Sequence, residues 1–113
     1  MGQLNLANAD LIKYQNILSA LYNILEETNN SPQANIILDV QNALNKKNYN
    51  DIRKVLNSVD MWGGAGAVWE VYIDNEIQEK KFKQEIIKLI DLMEETNLLG
   101  SGIKRIKKIL KED

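Results

Sequence analysis

The chain has 113 residues, 44% of them hydrophobic and 27% charged, with 14 basic against 16 acidic side chains and a formal net charge of −2. That is the make-up of one ordinary globular domain, spanning 1–113, and its mild acidity argues against a nucleic-acid binder, whose affinity would come from a basic face. With no His and no Cys, the chain cannot by itself build a Ser-His-Asp triad, a cysteine nucleophile, a histidine base, a Cys/His zinc site or a disulfide.

At 12.9 kDa the folded surface should be roughly 6,000 Å², about a third of that of the unfolded chain, so a core can form without covalent staples. The start, Met1-Gly2-Gln3-Leu4-Asn5-Leu6, has neither a basic n-region nor an apolar h-region, and Leu6 stands where a myristoylation site wants Ser or Thr. The longest uncharged stretch, Tyr14 to Leu25, is too short to span a bilayer. A cytoplasmic protein with no membrane partner is expected.

The first element runs from about Asn8 to Thr28, where Leu11, Tyr14, Leu18, Leu21, Tyr22 and Leu25 recur at helical steps, with Asn8 or Asp10 as a cap. Ser31-Pro32 reads as a new N-cap followed by proline at the first helical position, and Ile36, Ile37, Val40, Ala43 and Leu44 carry a second helix to about Lys46. Asn48 with Asp51, or Asn50 alone, opens a third short helix that contains Ile52, Val55, Leu56 and Val59. Asp60-Met61-Trp62-Gly63-Gly64-Ala65-Gly66 then interrupts the pattern. Ala67 to Ile73 has the β-branched and aromatic content of a strand, but a lone strand has nothing to pair with; a short buried helix is expected instead. Asn75 with Gln78 resembles a capping box and opens a long helix to about Asn97, with Ile77, Phe82, Ile86, Leu89, Ile90 and Met93 on its inner face. After Gly100-Ser101-Gly102, Ile103, Ile106, Ile109 and Leu110 form the inner stripe of a last helix, with Lys104, Lys107, Lys108 and Lys111 facing out. The fold class that follows is all-α, a single-domain bundle of five to six helices joined by short loops.

Two segments echo each other. Leu18 to Asn29 ends in Leu-Glu-Glu-Thr-Asn and Ile86 to Asn97 in Met-Glu-Glu-Thr-Asn. An ancient duplication would produce this, and so would two amphipathic helices with similar ends.

The most unusual segment, Met61 to Glu70, has three glycines in four residues. No Lys-Ser or Lys-Thr follows as a phosphate loop requires, and Trp69 stands where a dinucleotide fold needs its third glycine. Neither is there an EF-hand spacing for a cation at Glu70, Asp74 and Glu76, so no cofactor or metal is expected. Adjacent pairs such as Glu26-Glu27 and Glu94-Glu95 do not face each other on a helix, which leaves no catalytic residue to nominate. The glycines read most simply as a turn that lets helices approach closely beneath the two indoles. The basic stripe of the last helix reads as a solvated face that complements the helix dipole.

Between Asp60 and Glu79 stand five carboxylates and no Lys or Arg, together with Trp62, Trp69 and Tyr72. On a helix Glu70 and Asp74 would share a face. An oppositely charged partner would relieve the clustered charge, and Trp and Tyr are the residues that anchor interfaces. The candidate partner-binding face is therefore Asp60, Trp62, Trp69, Glu70, Asp74 and Glu76. The plainer alternative makes the acids a wet surface and the aromatics core.

Asn48-Tyr49-Asn50-Asp51-Ile52-Arg53-Lys54-Val55-Leu56, followed by Met61-Trp62-Gly63-Gly64-Ala65-Gly66-Ala67-Val68-Trp69-Glu70, resembles a group of small helical bacterial proteins. Such proteins are found among the immunity proteins of polymorphic toxin and contact-dependent growth inhibition systems. The resemblance covers the middle third of the chain. It implies a cytoplasmic, non-enzymatic inhibitor that binds one cognate toxin protein at or beside its active site, and that is a monomer or weak homodimer when free. A competing expectation is a structural or adaptor module that self-associates or docks to a larger assembly. A third is a small-molecule site lined by Trp62, Trp69 and carboxylates.

Overall fold

The computed structural model describes residues 6–112; residues 1–5, read above for targeting signals, and residue 113 lie outside the described residues. Helices α1 (Asn8–Glu27), α2 (Ser31–Lys46), α3 (Tyr49–Leu56), α5 (Glu76–Glu95) and α6 (Ile103–Lys111) are joined by short connections, with a four-residue turn of helix, α4 (Val59–Trp62), in the middle. No strand occurs among the described residues, so the all-α bundle expected from periodicity is what forms. A radius of gyration of 13.4 Å is that of a single packed body of this length, and the accessible surface is 6810 Å². No described helix is long and apolar enough to cross a membrane.

The frame is α1 packed on α2 and on α5, with α3 laid on α2 and α6 on α5. Tyr14, near the start of α1, meets Thr96 at the end of α5, while Glu27 at the end of α1 accepts from Gln78 at the start of α5. The two twenty-residue helices are therefore antiparallel. Every buried residue of α1 has a buried counterpart in α5 at a constant spacing of 68 residues, and α5 adds Ile90, whose counterpart Tyr22 is half-buried. Tyr14, Leu18, Leu21, Ile24 and Leu25 of α1 correspond to Phe82, Ile86, Leu89, Leu92 and Met93 of α5.

Both helices also stop in the same way. After Glu27 and Glu95 the chain passes through Thr28 and Thr96 to an asparagine in the left-handed region, Asn29 at φ 63° and Asn97 at φ 60°. Asn30 N–H then returns to Leu25 C=O at 2.8 Å and Leu98 N–H to Met93 C=O at 2.8 Å, while Asn29 and Asn97 donate to Glu26 and Glu94. This is the Schellman arrangement, with Asn as the non-glycine residue that best tolerates the left-handed position. Each threonine hydroxyl donates back to the carbonyl four residues earlier, Ile24 at 2.7 Å and Leu92 at 2.8 Å. The Glu-Glu-Thr-Asn echo thus spells a helix stop.

Several local expectations need correction. Ala7, not Asn8 or Asp10, occupies the N-cap position of α1. Asn30 occupies that of α2, so Ser31 and Pro32 are already helical. Asn48 and Asn75 do cap α3 and α5, accepting from the amides of Asp51 and Gln78. Ile77, placed on the inner face of α5, is 69% exposed; Gln78 already meets the last residue of α1, so one residue earlier there is no helix to cover it. Ile109 is likewise exposed, because Ile103, Ile106 and Leu110 complete the buried stripe of α6. Lys107, expected to face out, is half-buried and donates to Asp91, and Lys104 pairs with Glu94 at 3.0 Å, so two of the lysines tie α6 to α5.

The largest difference lies between Ala67 and Ile73. Where a short buried helix was expected, only Val68–Glu70 makes one 3₁₀ turn, and residues 71–75 run extended. Val71, Tyr72 and Ile73 are β-branched or aromatic and resist helix. The segment must also bridge from the glycine turn to the start of α5, a span that a helix would shorten. Glu70 and Asp74 accordingly do not share a helical face.

Candidate protein-binding face

The glycine segment is a turn with separate duties for its glycines. A Cβ on Gly63 would stand 2.6 Å from Val59 Cγ1 and 2.7 Å from Val59 O, so glycine is needed there for the chain to double back against its own helical turn, rather than for two helices to approach. Gly66 has φ +88°, which glycine adopts at little cost. Around this turn the two indoles act as pins. Trp62 is 9% exposed and donates through Nε1 to the carbonyl of Leu56. Trp69 is half-buried and donates through Nε1 to Gly63 C=O at 3.2 Å.

The six residues predicted for the face therefore separate. Trp62 belongs to the core, and Trp69 holds the turn closed. Asp60, Glu70, Asp74 and Glu76 are exposed. Asp60 lies on α4, before the glycine turn, whereas Glu70, Asp74 and Glu76 lie after it, along the extended segment and the first turn of α5. The fifth carboxylate, Glu79, is half-buried and pairs with Lys83 at 3.8 Å.

The extended segment is fixed rather than loose. Ile73 is buried at 4% exposure, and the Asn75 cap fixes the far end. Asn30 Nδ2 reaches Tyr72 C=O at 3.4 Å, and Gln33 Nε2 donates to Gly66 C=O at 3.0 Å, so the segment lies across the turn between α1 and α2. Tyr72 projects outward with 78% of its surface exposed. Its hydroxyl donates to Asp74 Oδ1 at 3.1 Å. That hydrogen bond and the carboxylate's charge raise the phenol's pKa above its ordinary value.

Sequence reasoning assigned Tyr72 to the acidic stretch without naming it as a contact residue, and it missed Ile77 and Val59. The signal for Val59 was available. A single helical turn that buries Met61 and Trp62 leaves its opposite side to solvent, and Val59 is 78% exposed. Val59 and Trp62 line a separate open groove of about 450 Å³ against Gly102, Ile103 and Ile106 of the α6 start. Neither Trp69 nor any carboxylate lines it, so the small-molecule site imagined from Trp62, Trp69 and acids does not form there. Among the described residues no three acidic side chains come together as a metal-holding group.

No family model matches the chain, and neither a curated protein nor a solved structure is similar to it.

Proposed function

We propose that this chain is an immunity protein, a stoichiometric inhibitor that docks its acidic extended segment on a basic surface of a toxin domain and covers it. The observation that carries the reading is Tyr72, a large aromatic side chain 78% exposed on a segment that is anchored at both ends. Exposed apolar groups cost solubility, and a rigidly presented tyrosine is the kind of anchor that concentrates binding energy. Little conformational freedom remains to be lost when it engages a partner. Asp74 hydrogen-bonds it, Glu70 and Glu76 are exposed in the same stretch, and no Lys or Arg stands between Lys54 and Lys80 in the sequence, so a basic partner would be steered to this end of the molecule.

The test is neutralisation. The chain, co-expressed with a toxin domain encoded beside it, should restore growth and co-purify one to one. The double variant Tyr72→Ala, Asp74→Lys should fold normally and fail in both. Self-association of the chain at micromolar concentration with no toxin captured would move the assignment to the structural-module alternative.

A further inference from the structure

The open groove of about 450 Å³ between α4 and the start of α6 has a fixed floor and two apolar walls. Asn57, at the end of α3, holds the floor. Its Nδ2 donates to Leu98 C=O at 2.8 Å, and its Oδ1 accepts from Gly100 N–H at 2.7 Å. A Cβ on Gly100 would stand 2.4 Å from that oxygen, so glycine lets the loop before α6 close on α3. One wall is Val59 with Trp62, and the other is Ile103 with Ile106. Helical geometry then sets one charge on each rim. Lys107, one residue beyond Ile106, turns to Asp91 of α5. Arg105, one residue before Ile106, and Ile109, one turn after it, fall on the opposite flank beside the groove, and both are exposed. On α4, Asp60 stands beyond Val59 on the side away from Trp62, and both are exposed. Among the described residues neither Asp60 nor Arg105 has an ion-pair partner.

We propose that this groove is the contact face between two copies of the chain, related by a two-fold axis that runs along it. The charges select this occupant. Such a rotation lays the α4 rim of one copy on the α6 rim of the other. Asp60 then meets the partner subunit's Arg105 on both sides of the axis, and Val59 meets the partner subunit's Ile109 above the apolar walls. A partner of one sign would match one rim and oppose the other. The basic toxin surface proposed above, for instance, would meet Arg105. Pairing also covers Val59, 78% exposed, and Ile109, 46% exposed, which otherwise face water. A contact built on one groove lies at the small end of specific interfaces, so the dimer is weak and reversible. The inference goes beyond the inhibitor reading and does not depend on it.

Sedimentation equilibrium of the full chain tests it. The mass should rise from the 12.9 kDa of one copy towards twice that value between about 0.05 mM and about 1 mM. Val59→Ser should abolish the rise and leave the melting temperature unchanged. Asp60→Arg and Arg105→Asp should each weaken association at least about tenfold, by setting like charges opposite each other. The two together should restore it, because the exchanged pair attracts again. A wild-type chain that stays at the mass of one copy throughout would overturn the proposal. A folded double variant without restored association would overturn it too, since Asp60 and Arg105 would then not face each other. A single-copy wild type whose toxin neutralisation is lost with Val59→Ser would give the groove to the toxin instead. The inhibitor reading is judged separately, by neutralisation: a chain that dimerises through this groove and neutralises nothing would keep this inference and lose that one.

Discussion

The ends of α1 and α5 share a stop but differ one residue beyond it. Leu98 follows Asn97 and is buried at 1% exposure beside Met93, completing the apolar contact that accompanies a Schellman cap. Asn30 follows Asn29 at the matching position and instead donates through Nδ2 to Thr28 Oγ1 at 2.9 Å and to Tyr72 C=O. The two threonines differ accordingly. Thr96 spends its proton on Leu92 C=O, so it must accept the buried hydrogen bond from Tyr14 OH at 2.6 Å; Phe82, the counterpart of Tyr14 in α5, has no hydroxyl to offer Thr28. One end is sealed into the core, and the other is a polar ledge beneath the extended segment. An identical cap thus ends in structure or in surface according to a single following side chain.

Converting one end into the other should produce the largest effect. Leu98→Asn removes a buried apolar side chain and puts an amide in its place, and should cost about 3 kcal/mol or more in denaturant unfolding. A cost within about 0.5 kcal/mol would mean that the α5 cap does not depend on its apolar contact. The left-handed asparagines should behave alike. Asn29→Ala and Asn97→Ala should each destabilise by about 1 kcal/mol, with Gly at either position close to neutral; a clear inequality between the two would break the equivalence of the stops.

Tyr14 sharpens the same contrast through pH. Burial raises its pKa from 10.0 to about 12. The unfolded chain therefore gives up this proton first as pH rises. Its contribution to stability is complete below pH 10 and is lost as pH climbs towards about 12, at up to about 1.4 kcal/mol per pH unit. Tyr14→Phe should cost about 1 kcal/mol at pH 7 and flatten that alkaline decline, read by chemical denaturation at matched pH values. An unchanged alkaline slope would contradict the assignment of the buried proton to Tyr14. The smallest effect on stability should come from Asn30→Ala, within about 0.5 kcal/mol, while binding of the partner proposed above should weaken as the support beneath Tyr72 is lost.

Much of the bundle was legible because its helices announce themselves. The periodic Leu and Ile of α1, α2 and α5, and the caps at Asn48 and Asn75, are local signals that tertiary packing had no reason to override. The centre was harder to read. Propensity at Val71-Tyr72-Ile73 favoured extended chain, and the rule that a strand needs a partner argued it away; the structure keeps these residues out of helix and lays them on the turn between α1 and α2. The acidic stretch marked the right region, yet sequence alone could not separate Trp62, drawn inward by the Leu56 carbonyl, from Tyr72, which no acceptor draws inward. Ile77 was misplaced because periodicity says where a face lies on a helix and not where the neighbouring helix ends.

The central claim is that the exposed side chains between Glu70 and Glu76, namely Tyr72 and its neighbouring carboxylates, form the docking face proposed above, while Ile73 and Asn75 hold the segment in place. The most direct test reverses its charge with Glu70→Lys and Asp74→Lys together, then measures the melting temperature of the free chain and its affinity for the toxin domain proposed as its partner. The account predicts an unchanged melting temperature and a toxin affinity at least about a hundredfold lower, the loss of about 3 kcal/mol expected for two desolvated charge contacts. Undiminished toxin affinity in a folded double variant would contradict it.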